Sequence, residues 1–332
     1  MVYHDSIYGP VKITEPVLLD LIEAEAVQRL RGVLQHGISG LIGVTSPITR
    51  FEHSVGAMLL VRRLGGPVVE QIAALLHDVS HTAFSHVIDY VFNDHDGQSY
   101  HDEMKAQYMA STDLPQILAA HGYDWTDFLD EARFPLLEQP SPRLCADRLD
   151  YFLRDGVGLG LATEADIHLV LDHLIVAGSG PAGGRIASSS LEVARWLGYT
   201  YMAADDASWA NFREVGLYEV TARAIRTALR LGALTEADFW DTDEPVWARL
   251  QAHGDPELQA QVRLVSPQTR FVWDEAAPTF WVSTKLRTIV PDVLLDGELR
   301  PLSSLDPDFA RARDAYLSRK GGKWPVRVIT GD

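Results

Sequence analysis

Apolar residues recur at three- and four-residue spacing through most of the first two thirds of the chain. That is the period of an amphipathic helix. Pro16 opens one such run, VLLDLIEAEAVQRLRGVL, and proline in the first turn is a helix start signal. Arg50 to Leu64 predicts a second helix. Gly65-Gly66-Pro67 breaks it, and a third runs from about Val68 through Asp78. Further helices are expected around Phe84–Phe92, from about Tyr100 to Ala110, and from about Arg143 to Asp155, after a loop at Pro140 to Pro142. Gly156, Gly158 and Gly160 end the last of these.

The texture then changes. His173–Val176 and Arg185–Ile186 flank GSGPAGG and predict a β-hairpin with a flexible tip. This glycine-rich stretch lacks the Lys-Ser/Thr of a P-loop and the spaced glycines of a Rossmann turn, so it reads as a turn and not a phosphate cradle. Helical patterning returns from about Leu191 to Leu231. Beyond Ala260, β-branched and polar residues alternate in RFVW, TFWVSTKLRTIVPDVLL and WPVRVIT, which predicts a few short strands. The fold class is mainly α, a helical core with a small β-hairpin and a small C-terminal α+β lobe. The expected units are 1–170 (helical core), 171–260 (hairpin and helices completing a pocket) and 261–332 (C-terminal lobe).

Composition narrows the function. The chain of 332 residues is 46% apolar and 23% charged, enough for a sizeable core. With 46 Asp+Glu against 29 Lys+Arg the net charge is −17, which argues against binding duplex nucleic acid. A small anionic ligand stays compatible, because a metal or a local cation cluster overrides the global field. Cys145 is the single cysteine, so no intrachain disulfide forms. No window approaches a membrane span and the N-terminus lacks a signal-peptide core. The expected setting is cytoplasmic.

The candidate chemistry lies in the histidines. His53, His77, His81, His86, His95 and His101 fall within one stretch of about fifty residues. His77-Asp78 ends the apolar run IAALL, where an unpaired carboxylate would be costly and a divalent cation would compensate it. On a continuous helix His77 and His81 share a face. HDVSH is also similar to the zincin HExxH pattern, but Asp replaces the general-base Glu and no third-ligand helix follows.

Three segments taken together carry a stronger signal: RFEHS at Arg50–Ser54, HDVSHTAFSH at His77–His86 and DRLDYFLRD at Asp147–Asp155. Here the chain resembles the HD-domain metal-dependent phosphohydrolases. The likeness is nearest to the branch of deoxynucleoside-triphosphate triphosphohydrolases carrying a sterile-alpha-motif domain, and their bacterial relatives. It runs from Val2 to about Leu161 and returns at KLRTIVPDVLL and KWPVRVI. The resemblance implies one divalent ion (Mn, Fe, Zn, Ni or Mg) on His53, His77, Asp78 and Asp147. It implies catalytic roles on the phosphate side for His81, His86 and His101, with Asp102 orienting His101. It implies substrate contacts from Gln35, Arg50, Arg148, Tyr151 and Asp155. The implied activity is hydrolysis of a phosphate ester of a nucleotide or related small metabolite by a metal-activated water, with His86 or His101 as general acid. Arg29 and Arg31 are read as holding the fold, and His36 and His95 as plain histidines. The expected partner is a small-molecule phosphate ester, with no membrane, and a homo-oligomer stays open.

The likeness thins after Leu161. Where that branch places cations, this chain has Ala203, Ala204, Asp205, Asp206 and Glu214, with Arg213 the remaining cation. Like charges ~5 Å apart at an effective dielectric of ~20 repel by several kcal/mol, so a smaller phosphate ester is favoured over a dNTP unless Arg213, Arg223 or Lys285 folds back over the pocket. The alternatives are a dNTP triphosphohydrolase releasing tripolyphosphate, an HD-type di-iron oxygenase using His81 or His101 at a second metal, and a non-catalytic nucleotide-binding module. The full ligand set argues against the last.

Overall fold

The computed structural model describes residues 1–180 and 183–329. Its centre is the Arg50–Arg63 helix, on which every residue from Val55 to Val61 is buried. A helix buried all round must be packed on every side. The Pro16–Glu23, Val68–Leu76 and Ala146–Gly158 helices supply that packing and share one apolar core with it. A second core forms around the Phe212–Leu231 helix. Among the described residues no helix is long and apolar enough to cross a membrane.

The start of the central helix is fixed by a capping box. Thr49 Oγ1 accepts from the Glu52 amide at 3.1 Å, and Glu52 Oε2 accepts from the Thr49 amide at 2.8 Å. This register places Arg50 and His53 on the same side. A cation in the first turn opposes the helix dipole; an ion pair of Arg50 Nη1 with Asp78 Oδ2 at 2.6 Å offsets that. On the Ala146–Gly158 helix, Asp147, Asp150, Tyr151 and Arg154 recur at helical spacing and form one face. That face meets the central helix at Gly56. A Cβ there would lie 2.0 Å from Arg154 Nη2 and 2.1 Å from Asp150 Oδ1.

The sheets are small and peripheral. β1 (Val2–Asp5) and β2 (Gly9–Lys12) form an antiparallel hairpin. β3 (Leu174–Gly180) and β4 (Gly183–Ser188) form the expected hairpin, whose tip at Pro181 and Ala182 lies outside the described residues. β5 (Arg270–Trp273), β6 (Phe280–Val282), β7 (Asp292–Leu295), β8 (Glu298–Pro301) and β9 (Trp324–Ile329) follow. The sheet orders are β3-β4-β7-β8 and β5-β9-β6. β4 meets β7 in parallel at Ser188 and Val293, so the hairpin and the C-terminal segment share a sheet.

Three local expectations change. The helix from Val68 stops at Leu76, and His77–Ser80 form a turn, so His77 and His81 do not share a helical face. The cause is tertiary: Arg29 Nη2 takes the carbonyls of Val79 (3.0 Å) and His81 (2.6 Å). The helix expected from Phe84 begins at Val87. Phe84 and Ser85 instead adopt left-handed backbone, φ 62° and 50°, at about 1–2 kcal/mol each. The Phe84 amide is held by Asp243 Oδ1 at 2.7 Å and Ser85 Oγ donates to the Leu34 carbonyl at 2.6 Å. The long run from Leu191 breaks at Ala204 into a π-helical turn, Asp205–Trp209, before the Phe212–Leu231 helix.

The close approach at Gly56 makes a prediction. Gly56→Ala should destabilise the protein by about 1–3 kcal/mol, seen as a lower thermal unfolding midpoint. A substitution at Gly254, where an added Cβ meets nothing within 4 Å, should leave it within about 0.5 kcal/mol.

Candidate metal centre

His53, His77 and Asp147 bring ligand atoms within 4.8 Å of one another. The two Nε2 atoms are 3.2 Å apart, and Asp147 Oδ1 lies 3.0 Å from His53 Nε2 and 3.5 Å from His77 Nε2. Asp78 closes the group, with Oδ2 3.6 Å from His53 Nε2 and Oδ1 3.6 Å from His77 Nε2. The tautomers follow from the far side of each ring. His53 Nδ1 donates to Asp150 Oδ2 at 2.8 Å, and His77 Nδ1 donates to the Ala74 carbonyl at 2.7 Å. Neutral rings so held turn two bare nitrogen lone pairs towards each other. That arrangement needs a positive charge between them.

Burial works against a charged His77, yet Asp78 and Asp147 push it up to about 10, so the two carboxylates draw a positive charge to this point, carried either by a proton on His77 or by a metal ion. Burial also works against a charged Asp147, yet His53 and His77 hold its carboxyl well below the ordinary range. Two imidazoles and two carboxylates of this kind fit a divalent cation. Behind them Asp150 accepts from Arg154 Nε (2.8 Å) and from Tyr8 OH (2.8 Å), and Arg154 Nη2 reaches Asp5 Oδ2 at 2.9 Å. The N-terminal hairpin is thereby tied to the far nitrogen of His53.

A cleft of about 500 Å³ opens over this group. Gln35, Arg50, His81, His86, His101 and Asp102 line it, as do Arg148 and Tyr151. His81 stacks on His101 with centroids 3.9 Å apart, and His81 Nε2 faces Asp78 Oδ1 at 3.2 Å. His86 Nδ1 donates to Asp89 Oδ2 at 3.0 Å, and Asp89 Oδ1 accepts from the Tyr100 amide at 3.0 Å. Burial and then Arg50 hold His86 well below its ordinary value. Burial and then His81 do the same for His101. Both rings are therefore neutral at pH 7, where a general acid would carry a proton. Burial pushes Asp89 up to about 6.

One expected substrate contact lies elsewhere. Asp155 sits behind the cleft wall, with Oδ1 on His36 Nε2 (2.8 Å) and Oδ2 accepting from Trp209 Nε1 (2.7 Å). Arg29 clamps the turn carbonyls and Arg31 lies over the Phe51 ring at 3.5 Å, as structural residues would. The acidic wall expected at Asp205, Asp206 and Glu214 shrinks to Glu214. Asp205 Oδ2 accepts from Tyr316 OH at 2.7 Å, and Asp206 pairs outward with Lys320. Arg213 donates to the Pro267 carbonyl and Arg223 to Glu219, away from the cleft. Lys285 does line the cleft, and Arg287 beside it was not singled out by sequence reasoning. Nor was Trp209, and His36 reads in sequence as a plain histidine. The strand-like KLRTIV pattern hid Arg287, since Ser283–Pro291 belongs to no strand.

Comparison with known proteins gives a consistent result. The HD domain family model matches residues 50–155. The chain is 39% identical over 317 residues to the metal-dependent phosphohydrolase cns2 of Cordyceps militaris, covering 94% of this chain and 91% of that protein. It is 40% identical over 327 residues to protein YdhJ of Bacillus subtilis, covering 98% of each. A crystal structure of a phosphohydrolase from Bacteroides thetaiotaomicron superposes with a TM-score of 0.72 at 17% identity, over 98% of this chain and 99% of that one, a likeness of fold.

Two predictions follow from these hydrogen bonds. Asp150→Asn should weaken divalent-metal retention about 10- to 100-fold, read as metal content after dialysis; full retention would contradict the coupling through His53. The second concerns His36, which burial disfavours as a cation but Asp155 and Glu214 push up to about 10. Its folded value exceeds the unfolded one of ~6.5. The stability it contributes is complete below pH ~6.5 and is lost as pH rises towards 10. The difference in unfolding midpoint between wild type and His36→Gln should narrow steadily over that window.

Proposed function

The chain belongs to the HD-domain metal-dependent phosphohydrolase family, and we propose that it hydrolyses a phosphomonoester in the cleft above His53, His77, Asp78 and Asp147. The observation that carries this reading is the balance of cations. Arg50 Nη2 is buried in the cleft wall without a hydrogen-bond partner. The other guanidinium groups are engaged: Arg148 with Glu138 and the Gln139 carbonyl, Arg287 with Gln98 and the Lys285 carbonyl. Asp102, Asp130, Glu131 and Glu138 line the same cleft. One phosphate fits beside Arg50, while a triphosphate tail would meet these carboxylates.

His53, His77, Asp78 and Asp147 are the residues that would hold the metal. A divalent ion bound there lowers the pKa of a coordinated water towards ~7 and polarises a phosphoryl oxygen. Arg50 offers Nη2 to a non-bridging oxygen, a charge-assisted bond that strengthens as charge grows on the phosphoryl group. Asp78 keeps Arg50 aimed through Nη1. His86 is the favoured general acid because Asp89 fixes its ring from Nδ1 and leaves Nε2 for the leaving oxygen. Burial is the larger obstacle to a protonated His86 and Arg50 the next; a phosphate dianion bound beside the ring offsets the field of Arg50 and adds a negative charge that favours the proton. His101 and His81 form a neutral, stacked wall on the same side. Lys285 and Arg287 favour a second reading, a nucleoside triphosphate cleaved to tripolyphosphate.

The test is a phosphate-release assay with the divalent metal varied. Asp78→Ala and Asp147→Ala should lose metal and activity together while keeping the fold. His86→Ala should lower kcat on an alkyl phosphate about 100-fold or more, and on 4-nitrophenyl phosphate, whose leaving group needs no acid, less than tenfold. Equal losses on both esters would show that His86 only binds phosphate. Tripolyphosphate released from a dNTP at higher kcat/KM than phosphate from any monoester would favour the second reading.

A further inference from the structure

The Ser283–Pro291 segment links two sheets without joining either. β6 before it belongs to the β5-β9-β6 sheet, and β7 after it to the β3-β4-β7-β8 sheet. Its backbone must therefore find hydrogen-bond partners elsewhere. Tyr90 OH donates to the Ser283 carbonyl at 3.3 Å. The Arg287 amide donates to Asp205 Oδ2 at 3.1 Å, and the Val290 amide to the Pro142 carbonyl at 2.7 Å. Arg313 Nε donates to Thr288 Oγ1 at 2.9 Å. These partners come from four separate parts of the chain. Together they hold the segment against the cleft, which Lys285, Leu286, Arg287 and Thr288 line.

Lys285 is the cation this arrangement leaves uncommitted. It is exposed, and its Nζ reaches one acceptor, the Gly97 carbonyl, at 3.4 Å. Among the described residues no carboxylate forms an ion pair with it, whereas Arg50 has Asp78 and Arg148 has Glu138. The Arg287 guanidinium is engaged by Gln98 and the Lys285 carbonyl. The charges around Lys285 show which part of the cleft its ammonium occupies. Asp102 and Asp147 attract it, and Arg287 and Arg148 repel it. It acts in turn, with Arg50 and Arg287, against a proton on His86. The ammonium thus lies within electrostatic reach of a candidate metal ligand and of the favoured general acid, the two groups between which a reacting phosphoryl lies.

Formal charge makes the same demand. A divalent ion on Asp78 and Asp147 is neutral as a unit, and Arg50 adds one positive charge. A phosphomonoester dianion then leaves one negative charge in excess. An unpaired charge held away from bulk water is costly, and one further cation cancels it. We propose that Lys285 is that cation and binds a non-bridging oxygen of the transferred phosphoryl group alongside Arg50. This rests on the phosphomonoesterase reading above and adds to it a phosphate-binding residue from the C-terminal segment. A compact ammonium on a flexible stem suits a phosphate as a point charge. Bound to the phosphoryl group, Lys285 is not left for a triphosphate tail.

The test uses the full chain with Mn²⁺, Fe²⁺, Ni²⁺, Zn²⁺ and Mg²⁺ supplied in turn. Inorganic phosphate and tripolyphosphate are read as inhibitors of 4-nitrophenyl phosphate hydrolysis. Lys285→Met removes the charge and keeps the stem. It should raise the phosphate inhibition constant and KM together by about 10-fold or more, the range for a hydrogen bond to a charged group. kcat should fall by a smaller factor, because the contact exists before and during the reaction. Lys285→Arg should recover the phosphate constant to within about threefold, and the unfolding midpoint should be the same in all three proteins. A phosphate constant for Lys285→Met within about twofold of wild type would overturn the proposal. So would a tripolyphosphate constant that rises while the phosphate constant stays fixed, since Lys285 then serves a tail. If no monoester is turned over, the monoesterase reading falls, and calorimetric titration of phosphate into the metal-loaded proteins decides Lys285 separately. Binding about 10-fold weaker in Lys285→Met supports its role, equal binding overturns it, and no binding to wild type overturns both.

Discussion

Two imidazole nitrogens 3.2 Å apart, each with the opposite ring nitrogen already hydrogen-bonded, cannot rest against each other without a positive charge between them. Asp78 and Asp147 add two carboxylates to the same small volume. Everything nearby maintains that crowding. The capping box at Thr49 and Glu52 sets the register that aims His53. Gly56 lets the Ala146–Gly158 helix come close enough for Asp147 and Asp150 to reach it. Arg29 holds the turn after His77, which carries Asp78 and His81 together. The Asp5–Arg154–Asp150 chain anchors His53 from behind. A divalent cation relieves the repulsion, and the fold spends its tightest packing on keeping the need for one.

The cleft above divides its work between two ends. At one, Arg50, the buried His81 and the partly exposed His86 and His101 present donors and neutral rings. At the other, Glu214 and Gln35 present acceptors. The C-terminal segment matters because Lys285 and Arg287 close the cleft from a stretch far from the histidine motifs in sequence; Arg287 and its partner Gln98 are 189 residues apart.

Much of the helical core could be read from the chain because local signals and tertiary packing agree there. Pro16, the Gly65-Gly66-Pro67 break and the period of the apolar residues each mark an element the structure contains. The family resemblance carried by RFEHS, HDVSH and DRLDY pointed to the residues that converge at the centre, and each motif rides on a helix or the turn that ends one. The turn itself was not legible. Nothing local in HDVSH says that Arg29 takes its carbonyls or that Asp243, 159 residues away, takes the Phe84 amide. His36 read as an unremarkable histidine for the same reason: its partner Asp155 lies 119 residues on. Asp205 and Asp206 counted as an acidic wall in sequence, but a π-helical turn rotates them off the cleft and leaves Glu214 alone to face it.

The account stands or falls on where a divalent ion sits. Anomalous diffraction from crystals of the metal-loaded protein, recorded at the absorption edge of the bound metal, reads this directly. The account predicts one strong peak within ~2.0–2.3 Å of His53 Nε2, His77 Nε2 and a carboxylate oxygen of each of Asp78 and Asp147. A peak on Asp78, His81 and His101 with none between His53 and His77, or no bound metal in an active preparation, would contradict it.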